Sequence, residues 1–134
     1  LPDVTPALPG LDALVTDYSS LVYDAALLAL PVLFLAPDVA AYARRRGFYG
    51  AYRDVAGDEV ATTWAALLPE LDAMLGDEAL AAERSMRSRA LSERVHAFRD
   101  GRAAERVYAA IAARSAHRQA SSGCAASSER SETT

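Results

Sequence analysis

The chain has 134 residues, of which 51% are hydrophobic and 24% charged, enough for one globular domain with a modest core. A net charge of −4 argues against a general nucleic-acid or membrane-surface binder. The single cysteine, Cys124, excludes an internal disulfide framework and sits in a polar stretch where an incidental thiol is expected.

Residues 1–11 hold Pro2, Pro6, Pro9 and Gly10, which read as an irregular entry loop rather than a regular helix. Ala13 to Thr16 is a short apolar run, the pattern of a buried parallel strand. Asp17-Tyr18-Ser19-Ser20 follows, with residues whose side-chain oxygens suit the first turn of a helix. Leu21, Val22, Ala25, Leu28 and Ala29 then place apolar groups on one helical face. Pro31 ends that helix, and Val32 to Leu35 predicts a second buried strand. Pro37-Asp38 turns the chain into a short helix over Val39 to Arg45. A weaker third strand is expected near Glu59 to Thr62. Alternating strands and helices with tight connections predict a layered α/β sheet.

Thr63 opens a longer helix whose apolar positions are Trp64, Leu67, Leu68, Leu71, Met74 and Leu75. Pro69 lies within it and Gly76 stops it. Asp77 to Phe98 reads as a further helix, rich in Arg and Glu; its arginines 84, 87, 89 and 94 are expected on a solvated face. Asp100-Gly101 leads into a last helix to about Arg114, with Ala104, Val107, Tyr108 and Ile111 as its buried stripe. From Ser115 the composition turns to Ser, Ala, Thr, Glu and Arg without apolar periodicity, so residues 115–134 are expected to form a disordered tail. The domain is therefore placed at 1–114.

Two segments carry possible chemistry. The first is the turn from the first strand into the first helix. Ligands of open α/β sheets sit at the carboxyl ends of strands, and a helix starting there directs amides and partial positive charge toward an anion. Ser19 and Ser20 would add hydroxyls. The competing reading is an ordinary helix cap. The second segment is Arg44-Arg45-Arg46-Gly47-Phe48-Tyr49-Gly50-Ala51-Tyr52. Arginine matches phosphate oxygens, and the aromatics either stack on a base or pack beneath the loop. Against this stands a plain helix end, with Arg complementing the dipole and Gly47 as cap. Asp24, one turn into the first helix, is either a hydroxyl acceptor or a solvated carboxylate. Asp17 is either an acid/base group or part of the turn. His96 and His117 have no metal-like neighbours, so neither is assigned a catalytic role. The sequence shows no Cys/His cluster, no phosphate-binding loop of the Walker type, no dinucleotide fingerprint and no Gly-flanked serine nucleophile.

The chain opens on Leu1 and lacks a basic segment leading into a long apolar core. The longest apolar run, 25–36, contains Pro31 and is short for a membrane span. A cytoplasmic piece of a longer protein is expected.

Taken in order, these segments resemble the CDP-glycerol:poly(glycerophosphate) glycerophosphotransferases of teichoic-acid synthesis. The resemblance rests on Asp12 to Ser20 (DALVTDYSS), Tyr23 to Leu28 (YDAALL), Pro31 to Leu35 (PVLFL), Arg46 to Tyr49 (RGFY) with Tyr52, and Asp100 to Val107 (DGRAAERV). It covers about residues 3–112. Ala51 departs from an Asp in the family pattern, Ala56-Gly57-Asp58 from a Pro-Gly-Pro turn, and Ala104 from a Ser. The resemblance implies two Rossmann-like domains of the GT-B architecture. This chain would be part of the C-terminal, donor-binding one, followed by C-terminal helices. It implies transfer of glycerol phosphate from CDP-glycerol to a poly(glycerol phosphate) acceptor with release of CMP, without a cofactor or metal and without nucleic acid. The protein would act peripherally at the inner face of the plasma membrane. By resemblance, Asp17, Ser19 and Ser20 hold the donor diphosphate, Asp24 contacts a donor hydroxyl, and the Arg46-Gly47 loop lies near the donor. The family's catalytic histidines lie upstream of this segment, so no catalytic residue is assigned here. The segment without its N-terminal domain is expected to be inactive. Alternatives are a fragment of another GT-B nucleotide-sugar transferase, or a non-catalytic interaction module.

Overall fold

A computed structural model describes residues 3–128. The chain divides into two compact units, Leu1–Ala97 and Phe98–Thr134.

The first unit is built on a parallel pair of strands, β1 (Leu14–Thr16) and β2 (Val32–Phe34), joined through helix α1 (Leu21–Leu27). Leu14 pairs with Val32, Val15 with Leu33 and Thr16 with Phe34. The third strand is reduced to one parallel bridge, Leu35 to Ala61, on the opposite edge of β2 from β1. Successive side chains of a strand point to opposite faces. Val32 and Phe34 accordingly join Val22, Ala25, Ala26, Leu30 and Leu91 in one core cluster, while Leu33 joins Ala61, Leu67 and Met74 in another. Helices α1 and α5 (Glu78–Val95) contribute to the first cluster, and α4 (Trp64–Gly76) to the second. The result is a small, helix-dominated α/β arrangement whose short sheet is covered on both faces, as parallel strands require.

Several boundaries follow directly from local chemistry. Thr63 caps α4, its Oγ1 accepting from the Ala66 amide at 3.2 Å, and Asp77 caps α5 by accepting from the Ala79 amide at 2.8 Å. Helix α1 ends in a Schellman arrangement: the Leu30 amide bonds the Ala25 carbonyl and the Ala29 amide the Ala26 carbonyl, both at 3.1 Å. This places Ala29 at φ 53°, in the left-handed region.

Four expectations are corrected. The Pro-rich entry forms a 3-10 helix, Thr5–Gly10, which buries Leu8; Pro6 falls in its first turn, where no amide is needed. Leu28 lies beyond the end of α1 and is exposed, its place in the core taken by Ala26. On α4 only Leu67 and Met74 are fully buried, whereas Trp64, Leu68 and Leu75 face solvent. Arg84 is drawn in rather than solvated: it reaches Glu70 at 3.2 Å and Glu59 at 3.5 Å, and Arg87 reaches Glu59 at 2.8 Å, tying α5 to the segments before it.

The second unit is a lead-in and helix α6, Ala103–Ser128. Asp100 fixes the start, accepting from the Arg102 amide at 3.1 Å and from Arg106 Nη1 at 2.8 Å. The Arg106 guanidinium lies 4.0 Å from the Phe98 ring centre. Val107, Tyr108 and Ile111, expected as a buried stripe, are exposed, because a single helix offers no second layer inside its own unit. Helix α6 continues past Arg114 into the Ser- and Ala-rich stretch; alanine favours helix strongly. The rest of the predicted tail, 129–134, and the side chains of His117 and Cys124 lie outside the described residues.

Candidate functional site

The β1–α1 turn emerges at the carboxyl end of β1. Its amides are engaged locally: Leu21 N–H donates to Ser19 Oγ at 3.2 Å, Val22 to the Ser19 carbonyl at 3.4 Å, and Tyr23 to the Ser20 carbonyl at 3.0 Å. Ser20 occupies the cap position without a side-chain cap bond. The turn therefore presents hydroxyls more than open amides. Ser19 Oγ accepts from Leu21 yet keeps its proton to donate, since a hydroxyl both donates and accepts.

Helix α2 (Val39–Arg45) brings the second segment alongside. It ends where Gly47 takes φ 72° and its amide bonds the Ala43 carbonyl at 3.1 Å, with Arg44 and Arg45 in the last turn. The capping role of Gly47 is thus real, and it also turns the chain back across the β1–α1 turn. A short helix, α3 (Arg53–Ala56), absent from the sequence expectations, follows.

Between the two segments lies a cavity of about 440 Å³, walled by Asp17, Ser19, Ser20, Gly47, Tyr49 and Tyr52 among others. This falls within the usual ~300–1,000 Å³ of small-molecule sites. Its base is a run of packed rings. Tyr18 stacks on Tyr42 with centroids 4.0 Å apart, Tyr42 on Phe48 at 5.3 Å, and Phe48 on Tyr52 at 5.2 Å, with Phe34 edge-on to Tyr52 at 6.1 Å. Two hydroxyls tie this group to its surroundings, one to backbone and one to a carboxylate. Tyr52 Oη donates to the Asp17 carbonyl at 2.9 Å, and Tyr18 Oη to Asp38 Oδ1 at 2.8 Å. The second bond explains why Asp38, at the start of α2, makes no side-chain cap there.

Burial raises the Tyr18 phenol to about 12, with Asp38 adding to the shift, and burial raises Tyr52 likewise to about 12, with Tyr18 and Asp17 adding. Both remain neutral hydrogen-bond donors near neutral pH and are unsuited to proton transfer there.

Of the six residues singled out from the sequence, Asp17, Ser19, Ser20 and Gly47 meet on the cavity wall. Asp24 is half-buried on α1 away from that wall, and Arg46 is exposed outside it. The wall carries the carboxylates of Asp17 and Asp54 and no arginine. Sequence reasoning missed Tyr18 and Tyr42, whose contribution depends on α2 folding back over the β1–α1 turn. His96 Nε2 lies 3.1 Å from the Tyr23 carbonyl, a contact that joins the end of α5 to α1 in the tautomer with the proton on Nε2.

A second cavity, of about 260 Å³, is lined by Arg53, Arg84, Arg87 and Arg94. Arg53 pairs with Asp58 at 2.6 Å, Arg84 with Glu70, Arg87 with Glu59 and Glu83, and Arg94 donates to the Asp54 carbonyl. Carboxylates thus offset the charge of Arg53, Arg84 and Arg87, whereas Arg94 is held by a neutral carbonyl. Among the described residues no group of His, Cys, Asp and Glu is placed to hold a metal ion, and no helix is long and apolar enough to cross a membrane.

The model of the CDP-glycerol:poly(glycerophosphate) glycerophosphotransferase family matches residues 2–113. The chain belongs to this family. It is 36% identical over 61 residues to the teichoic acid ribitol-phosphate polymerase TarL of Staphylococcus aureus, covering 46% of this chain and 11% of that protein. It is 44% identical over 52 residues to the teichoic acid poly(ribitol-phosphate) polymerase of Bacillus spizizenii, covering 39% and 8%. TarK of Staphylococcus aureus, also a teichoic acid ribitol-phosphate polymerase, is 34% identical over 61 residues, or 46% and 12%. The matched stretch thus spans about a tenth of each relative. No solved structure matches the chain closely enough to compare.

Proposed function

We propose that this chain carries the donor-nucleotide site of a transferase of teichoic-acid synthesis, as part of a GT-B C-terminal domain that works with an N-terminal companion. The observation that carries this reading is the convergence of two family segments, Asp17 to Ser20 and Gly47 to Tyr52, on one cavity. The reaction is transfer of glycerol phosphate from CDP-glycerol to a poly(glycerol phosphate) chain, at the inner face of the plasma membrane. Such a phosphoryl transfer depends on positioning and charge stabilisation. The Ser19 and Ser20 hydroxyls donate to the donor diphosphate, with Asp17 shaping the turn. An aromatic, mildly acidic wall suits the base and sugar hydroxyls better than the diphosphate. The charge of the diphosphate is therefore met at the rim, where Arg46 adjoins Gly47, and by the companion domain. Asp24 contacts a donor hydroxyl only where the donor extends beyond the wall.

The relatives are named ribitol-phosphate polymerases, which makes CDP-ribitol the second donor to test. Isothermal titration with CDP-glycerol, CDP-ribitol, CMP and a UDP-sugar separates these. The proposal predicts selective cytidine binding that Ser19→Ala/Ser20→Ala weakens at least about tenfold, the range for hydrogen bonds to a charged group. Equal binding of the UDP-sugar would sink the cytidine donor and favour another GT-B transferase. A folded chain that binds none of the four points to an interaction module.

A further inference from the structure

The aromatics of the Gly47 loop divide into two kinds. Phe48 and Tyr52 are committed to the ring stack beneath the cavity. Tyr49 belongs to the same cavity wall, yet its side chain is fully exposed. A ring held this far out gains nothing from packing, and its burial by a ligand would remove a large apolar face from water. It stands between Gly47, at φ 72°, and Gly50, whose nearest neighbour to an added Cβ is Asp54 Oδ2 at 4.0 Å. On one side its chain neighbour Gly50 has no side chain, and on the other the Phe48 ring is turned onto Tyr42 and Tyr52, so the Tyr49 ring is left out of the stack. The cavity also carries Ser19, Ser20 and Asp17, which offer hydroxyls and a carboxylate, and the rings of Tyr18, Tyr42, Phe48 and Tyr52, which are stacked on one another.

We propose that Tyr49 is the stacking platform for the planar base of the nucleotide, making this exposed ring, rather than the packed rings below it, the residue that recognises the base. The proposal rests on the donor-site reading above and adds to it the residue that meets the base. Stacking on one aromatic ring contributes about 5- to 150-fold in affinity and is tolerant of ring identity, because it uses the π-face.

The test measures binding of CMP and of ribose 5-phosphate, which lacks the base, to the wild-type chain, Tyr49→Ala and Tyr49→Phe. Because Tyr49 is fully exposed, its variants should melt within a degree or two of wild type, which checks that a change in binding is local. The expected result is a preference for CMP over ribose 5-phosphate that Tyr49→Ala erases and Tyr49→Phe keeps, with ribose 5-phosphate affinity constant throughout. CMP preference that survives Tyr49→Ala overturns the stacking role and leaves the donor site standing. Loss in Tyr49→Phe equal to that in Tyr49→Ala assigns the effect to the hydroxyl and also overturns stacking. A wild-type chain that binds neither ligand overturns the donor site itself, and stacking with it.

Discussion

Tyr52 links the two halves of the candidate site through one hydroxyl and one ring, and these contributions separate by mutation. Tyr52→Phe removes only the bond from Oη to the Asp17 carbonyl. A neutral hydrogen bond contributes about 0.5–1.5 kcal/mol. Asp17 is exposed, so water replaces the lost donor and the cost stays near the low end. Tyr52→Ala also removes contacts with Phe48 at 5.2 Å, Tyr18 at 5.4 Å and Phe34 at 6.1 Å. At about 0.5–1.5 kcal/mol per aromatic pair, and with the half-buried ring lost, the Ala variant should cost about 3 kcal/mol. Urea unfolding of the three proteins measures both, with the slope of each transition confirming that the unfolded states are comparable. A Phe variant as damaging as Ala would show that the hydroxyl, not the ring stack, holds the loop on the turn. An Ala variant costing under about 1 kcal/mol would show that the stack does not hold it either.

Two further outcomes follow from the same physics. Ala29→Gly should stabilise the first unit by about 0.5–1 kcal/mol, since Ala at φ 53° bears a steric penalty that glycine avoids and the Schellman bonds are retained; a lowered melting temperature would contradict that geometry. Tyr18 and Tyr52 ionise near 12. Each favours the fold by remaining neutral, a contribution complete below their ordinary value of about 10 and lost as pH rises toward 12. Ultraviolet titration should show a late tyrosinate component that Tyr18→Phe/Tyr52→Phe abolishes, whereas ionisation of all tyrosines by pH 11 would contradict the half-buried stack.

Elements that announce themselves locally were legible in the sequence. Apolar runs gave β1 and β2, Pro31 separated α1 from β2, Val39 to Arg45 matched α2, and the starts placed at Thr63 and Asp77 fell on the residues that cap α4 and α5. Features that depend on tertiary partners were not. Tyr18 and Tyr42 lie 24 residues apart in sequence and stack only because α2 crosses the β1–α1 turn. The four residues of α3 are too few for a periodic signal. Periodicity marked the stripes of α4 and α6 correctly as apolar, but burial needs a second surface, and Trp64 and Ile111 meet none within their own units. At the site, the expectation of an open helix N-terminus fails for a short-range reason: Ser19 and Ser20 satisfy the first-turn amides themselves.

The central claim is that the cavity between the Asp17–Ser20 turn and the Gly47–Tyr52 loop takes the nucleotide. Amide chemical-shift mapping of the ¹⁵N-labelled chain titrated with CMP tests this most directly. The account predicts saturable shifts at Ser19, Ser20, Gly47, Tyr49 and Gly50, with little change around Arg84 and Arg94. Shifts centred on the arginine-lined second cavity, with the Gly47 loop unmoved, would contradict it.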